Sequence, residues 1–263
     1  MLKDRIDKLR GSKDNIIKLL FNGKKIDHIF LQVCSLCQNS CSSCYHKDMI
    51  NAYKNYHMTL DELDRFIYYT KKSRYLVGQV YIHGPGEPTL WKYFNEGIKR
   101  LYDADNIGAI SVISNGVSLG NIREETFKYI DWLRVSVYPD SKKNDLAISL
   151  KERFPEKINF LEIFTFKELS TITDPNPVIG DCVCPGIMII KDKVFYCGGG
   201  VFTAAKLKGV DIFDCHNIYS DLGENYMDGY KGHAKRRYDL CRYCSYNSSI
   251  CSSAKDIKHS ICD

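Results

Sequence analysis

Cys37, Cys41 and Cys44 lie in the stretch CQNSCSSC at C-x3-C-x2-C spacing. Thiols packed that closely along a chain converge on a metal more readily than they form long-range cross-links. Zinc would take all three and need a fourth ligand from elsewhere, for which Cys34 and His46 are at hand. An iron–sulfur cluster would take the same three thiolates and leave one iron open to a ligand from outside the chain. An open coordination position marks a catalytic metal site, whereas a structural site fills it. The spacing alone leaves both readings standing.

The chain of 263 residues holds twelve cysteines, four between Cys34 and Cys44 and eight between Cys182 and Cys262. The start, MLKDRIDKLRGSKDN, lacks the apolar centre of a secretory signal, so the expected location is the cytoplasm, where disulfides do not persist. No apolar run approaches the roughly 18 residues that a membrane helix requires. Hydrophobic residues at 44% and charged residues at 26% describe an ordinary folded chain, and a net charge of +5 does not by itself imply nucleic acid.

The elements that must position these thiols follow from periodicity. The apolar run 28–33, HIFLQV, reads as a buried strand that feeds directly into the cysteine loop. Thr59-Leu-Asp-Glu62 is a capping box for a helix running to about Lys72. A strand over 75–83 follows, then a helix with Trp91, Phe94, Ile98 and Leu101 on one face, and a strand over 108–114. A helix around 122–130, a strand over 132–137, a helix over 141–153 and a strand over 158–166 complete the series. Alternation of this kind requires parallel pairing with right-handed crossovers. Five strands, with a sixth available after residue 166, give an open sheet or an incomplete barrel whose ligand lies at the carboxyl ends of the strands. Residues 1–26 read as a helical segment before this core, residues 27–175 as the core, and residues 176–263 as a small cysteine-rich region that gains stability from metal ligation.

Three loops fall at those carboxyl ends: CSLCQNSCSSCYH, GPGEPT and NGVS. In Gly84-Pro-Gly-Glu-Pro88 the glycines permit close backbone approach and unusual dihedrals, and Glu87 offers a carboxylate suited to an ammonium group. By itself the stretch is equally a strand-to-helix turn opened by Pro88. C-x3-C-x2-C after the first strand, GxGEP after the second and Ser114-Asn115-Gly116 after the third together resemble the radical S-adenosylmethionine superfamily, over roughly residues 27 to 165. The resemblance implies a partial (β/α)6 TIM-like barrel in which Cys37, Cys41 and Cys44 hold a 4Fe–4S cluster. The amino and carboxylate groups of S-adenosylmethionine then fill the fourth iron. It also implies that Gly86 and Glu87 meet the methionine amino group, and that Ser114, Asn115 and Ser136 lie near the ribose and carboxylate. Ser43 stands where the family often has an aromatic residue against the cofactor, and Tyr45 is the neighbouring side chain for that packing. Cys34, at the end of a buried strand, reads as a small hydrophobe, and His83 as a satisfied core histidine.

Cys184-Pro-Gly-x9-Cys197 followed by Cys241-x2-Cys244 resembles the twitch extension, the smaller relative of SPASM. The resemblance implies an auxiliary 4Fe–4S cluster on those four cysteines, with GIMII and KVFYC as a hairpin turning at Lys191-Asp192-Lys193. Cys182, Cys215, Cys251 and Cys262 leave a second auxiliary cluster open. The compact chain resembles the aminocyclitol dehydrogenase of antibiotic biosynthesis within this subgroup. That resemblance implies hydrogen-atom abstraction from a small sugar, cyclitol or nucleoside, an oxidation helped by the auxiliary cluster, and an external electron donor of the flavodoxin or ferredoxin type. Maturation of a ribosomal peptide, modification of a nucleic acid through the basic stretch 231–244, and a non-catalytic zinc-binding module are the alternatives. Glu162 and Lys167, at the end of the last strand, are positional candidates for catalysis.

Overall fold

Strand–helix alternation places the chain in an eight-stranded sheet that is mostly parallel. The computed structural model describes residues 25–41, 44, 46–138, 145–162, 165–168, 186–198, 200–215, 218–226 and 255–258. The N-terminal helical segment expected before residue 25 lies outside them. Strands β1 (Lys25–Gln32), β2 (Leu76–His83), β3 (Ile107–Ser114), β4 (Trp132–Val137) and β5 (Ile158–Glu162) are parallel neighbours in that order. Helices α1 (Lys47–Ala52), α2 (Leu60–Lys72), α3 (Phe94–Asp103) and α4 (Asp145–Arg153) lie in the connections.

The capping box at Thr59 is present: the Glu62 backbone N–H donates to Thr59 Oγ1, and Thr59 N donates to Glu62 Oε2 at 2.7 Å. Leu63, Phe66 and Thr70 recur at helical spacing and are buried on the sheet side of α2. Trp91, Phe94, Ile98 and Leu101 do the same for α3, and the Trp91 indole donates to Met58 O at 2.6 Å. With Ile29, Leu31, Val80, Ile82, Ile110, Val112, Leu133 and Val135 from the strands they form one continuous apolar core.

Two expectations are corrected by tertiary contacts. The segment 122–130 is not an α-helix but a short 3-10 turn over Glu124–Lys128. Lys157 Nζ takes the carbonyls of Phe127 and Ile130 at 2.7 and 2.8 Å, and Asn95 Oδ1 takes the Arg123 N–H, so this backbone is bonded outward. The strand 158–166 is two: β5 stays in the sheet, and β6 (Thr165–Glu168) pairs antiparallel with β10 (Lys255–Lys258) in a separate two-stranded sheet. The sixth parallel strand expected after residue 166 exists, and it lies on the β1 edge. It is β7 (Ile187–Ile190), which pairs with β1.

β7 turns back through Lys191 and Asp192 into β8 (Lys193–Phe195), the hairpin expected there, and β9 (Tyr219–Asp221) completes the sheet order β5-β4-β3-β2-β1-β7-β8-β9. All four residues of β7 are buried, as a strand covered on both faces requires. Helix α5 (Gly200–Lys208) follows β8, and a second apolar cluster joins Met188, Ile190, Phe195, Cys197 and Phe202 to Met49 of α1. Among the described residues no helix is long and apolar enough to cross a membrane.

Candidate functional site

The cysteine loop begins where β1 ends, and the turn after β2 is packed directly on it. Gly86 N donates to Cys34 O at 3.0 Å, and Glu87 N donates to Leu36 O at 2.6 Å. A Cβ on Gly86 would stand 2.1 Å from Leu36 O, and one on Gly84 2.7 Å from Cys34 O. Neither glycine has positive φ. Close approach alone demands them, so the unusual dihedrals expected from the sequence are not the reason.

Glu87 is 2% exposed and satisfied largely by its own chain. Its Oε1 accepts from Thr89 N at 3.1 Å, Thr89 Oγ1 at 2.6 Å and Ser114 Oγ at 2.8 Å; its Oε2 accepts from Asn115 N at 2.7 Å. Burial pushes its carboxyl up, and these hydrogen bonds pull it back. Glu87 also caps the 3-10 turn Pro88–Leu90, so the strand-to-helix turn opened by Pro88 is present. One carboxylate thus ties the loop after β2 to the loop after β3.

Asn115 reaches the thiols. Its Nδ2 donates to Cys37 Sγ at 3.7 Å and to Gln38 Oε1 at 3.4 Å, while its Oδ1 accepts from Val117 N. Gln38 also donates to Ser118 Oγ. Gly116 holds φ +84, the left-handed region that lets this turn close beneath Asn115. Cys37 is exposed, and Cys41 and Cys44 are half-buried. Cys44 N donates to Cys41 O and Lys47 N to Cys44 O.

Tyr138, two residues past Ser136, is a side chain beside the cysteine loop that the sequence reading missed. Burial pushes its phenol up to about 12, with the negative charge of Cys41 next, and the phenol hydrogen-bonds Ser136; Cys37 and Cys44 act on it too. Alternation along β4 from Ser136 was the signal that would have found it.

No group of three metal-binding side chains among the described residues is close enough for a single ion. A 4Fe–4S cluster takes one thiolate per iron, so it requires convergence around a cube and not contact at a point. Three free cysteines on one loop, with an amide donor on Cys37, are the donor set that such a cluster takes.

Cys34 is fully buried, and burial pushes its thiol up to about 11, which suits the hydrophobe read from the sequence. His46 and His83 face each other at 4.8 Å between ring centroids, and burial pushes them down to about 4 and about 3. His83 Nδ1 meets Gln32 Nε2 at 3.5 Å, while His46 Nδ1 has no partner. Glu162 is exposed and in register with Val137, which places it on the face opposite Ser136. Lys167 lies in β6, in register with Asp256. Cys197 packs in the second apolar cluster and Cys215 against it, with Cys215 Sγ donating to Asp211 O at 3.5 Å. Ser43, Tyr45, Cys182, Cys184, Cys241, Cys244, Cys251 and Cys262 lie outside the described residues.

No protein-family model matches the chain, and no curated protein matches its sequence. Solved structures do. The crystal structure of BtrN in complex with AdoMet and 2-DOIA superposes at TM-score 0.60 and 16% identity, covering 84% of this chain and 94% of that one. The structure of BtrN in an open conformation gives TM-score 0.51 and 15% identity over 87% of this chain and 91% of that one. The chain has the fold of BtrN.

Proposed function

We propose that the chain is a radical S-adenosylmethionine enzyme of the twitch type, built on a partial β/α barrel and acting on a small polar molecule. The observation that carries this reading is the fastening of the C-x3-C-x2-C loop to GPGEP and SNG through Gly86, Glu87 and Asn115. The joint lies at the carboxyl ends of parallel strands in a BtrN-like fold, where α/β sheets collect their ligands. When a 4Fe–4S cluster is held by Cys37, Cys41 and Cys44, it supplies the electron that splits S-adenosylmethionine into methionine and a 5′-deoxyadenosyl radical able to take a hydrogen atom from an unactivated carbon.

The chain's own residues bind and orient. Glu87 Oε2 accepts one hydrogen bond from the described residues, which leaves capacity for an ammonium donor beside the cysteine loop. Ser114 donates to Glu87 and so orients it, while Gly86 keeps the backbone close enough to share the site. Asn115 and Ser136, on adjacent strand ends, are the candidates for ribose and carboxylate. Cys184, Cys197, Cys241 and Cys244 would hold an auxiliary cluster that accepts an electron from the substrate, giving a net two-electron oxidation. A flavodoxin- or ferredoxin-type donor would reduce the first cluster. The BtrN structure holds AdoMet together with 2-DOIA, which supports a small substrate here.

Anaerobic reconstitution with iron and sulfide tests the reading. Adding dithionite and S-adenosylmethionine should release 5′-deoxyadenosine, and Cys41→Ala should abolish the release. Cys244→Ala should retain part of it while impairing substrate turnover. Zinc without sulfide in the purified protein, and no 5′-deoxyadenosine, would instead favour the structural metal module.

A further inference from the structure

The sheet has two unlike faces. Helices cover the face that carries Leu133 and Val135, and both residues are buried. Strand register places Arg134 and Ser136 on the other face, beside Ile113 of β3 and Asn159 and Leu161 of β5. Side chains confirm the assignment further along it: Phe30 stacks on Tyr81 at 4.9 Å, and Gln79 hydrogen-bonds Ser111. The β7 end of this face is filled by the second apolar cluster. At the β4–β5 end Arg134 and Asn159 are both exposed.

Among the described residues Arg134 has no hydrogen-bond or ion-pair partner. Among the side chains that the register assigns to this face of β1–β5 and β7, it is also the only Asp, Glu, Lys or Arg. A guanidinium held in the middle of an internal strand is a rigid, five-donor fork that matches a carboxylate or phosphate in two parallel hydrogen bonds. An ammonium-bearing substrate would require the reverse, and these strands offer no carboxylate on that face. Side chains two apart on a strand stand about 7 Å apart, so Arg134 lies about 7 Å from Ser136 and roughly 13 Å from Tyr138 along β4. That separation is the length of one small molecule with its anionic end on Arg134 and its other end near the cysteine loop.

We infer that Arg134 is the specificity residue for a substrate bearing a carboxylate or phosphate. This rests on the radical S-adenosylmethionine reading, which the test separates from it. The reconstituted holoenzyme is titrated calorimetrically with ribose 5-phosphate and gluconate, with ribose and glucose as neutral counterparts and glucosamine as the amine. S-Adenosylmethionine is titrated separately, because its own carboxylate is the other source of the same chemistry.

At least one anionic probe should bind more tightly than its neutral counterpart. Arg134→Gln should weaken that binding about tenfold to hundredfold, and Arg134→Lys should recover part of it. S-Adenosylmethionine affinity should be the same in Arg134→Gln as in the parent, and the exposed position leaves the melting temperature unchanged. The inference is overturned if no anionic probe outbinds its neutral counterpart, if glucosamine binds best, or if Arg134→Gln weakens S-adenosylmethionine instead. Absence of 5′-deoxyadenosine from the parent holoenzyme, with anion binding intact, would sink the functional reading and leave the anion site standing.

Discussion

Glu87 sits where four donors of its own chain meet, three on Oε1 and one on Oε2, so both carboxylate oxygens must be acceptors. Glu87→Gln turns one oxygen into an NH2 group facing a donor, which should cost about 1–3 kcal/mol in urea unfolding. A Glu87 that served only the cofactor would leave unfolding unaffected. His83 gives a pH dependence. Its folded pKa of about 3 lies below the ordinary value of 6.5, so the unfolded chain takes up a proton first as pH falls. Stability is therefore expected to decline from pH 6.5 toward pH 3, by at most about 1.4 kcal/mol per pH unit from this group. Urea midpoints at pH 5 and pH 7 should differ less in His83→Gln than in the parent. Residue types at this scale were legible: thiols, glycines and Glu87 announce themselves by spacing. Their partners were not, because Thr89, Gln38 and Tyr138 reach the site only through turns whose closure depends on distant backbone.

Loops after β1 and β2 are joined by main-chain contacts, and the loop after β3 is joined to them through Glu87 and Asn115. Gly86→Ala would drive a Cβ into Leu36 O, a backbone atom that cannot swing aside. The expected result is loss of iron and sulfide from the reconstituted protein, with the far-UV circular dichroism of the sheet retained. Retention of full iron would mean that the loops adjust independently. On α2, Thr59→Ala removes the Thr59 hydroxyl that caps Glu62 N and should cost about 1 kcal/mol by the same urea assay. Strands β1 to β5 and helices α2 and α3 were readable because burial on one face imprints a period on the chain. The 3-10 turn Glu124–Lys128 was not, since its carbonyls answer to Lys157 on a later element. β6 escaped for a similar reason: its partner β10 lies about ninety residues away in the chain.

The cysteine-rich region and the parallel core share one sheet. β7 supplies the edge partner of β1, α5 packs on α1 through Met49 and Phe202, and Lys206 pairs with Asp48 at 2.8 Å. Tyr56 OH, near the cysteine loop, also accepts from Lys191 N in the hairpin turn. Removing residues 176–263 would therefore bare the edge of β1 beside the site, and the fragment is expected to aggregate. A soluble 1–175 fragment with a cooperative unfolding transition would show that β1 does not need this partner. The sequence by itself determined the order of strands β1 to β5, the three loops at their carboxyl ends and the clustering of thiols in the first, because local periodicity and residue type are written along the chain. Only the tertiary structure decided that β7 closes the β1 edge, that Glu87 fastens two loops together and that Arg134 faces open solvent alone among uncharged neighbours. Those follow from pairings across many residues, whose geometry no local pattern encodes.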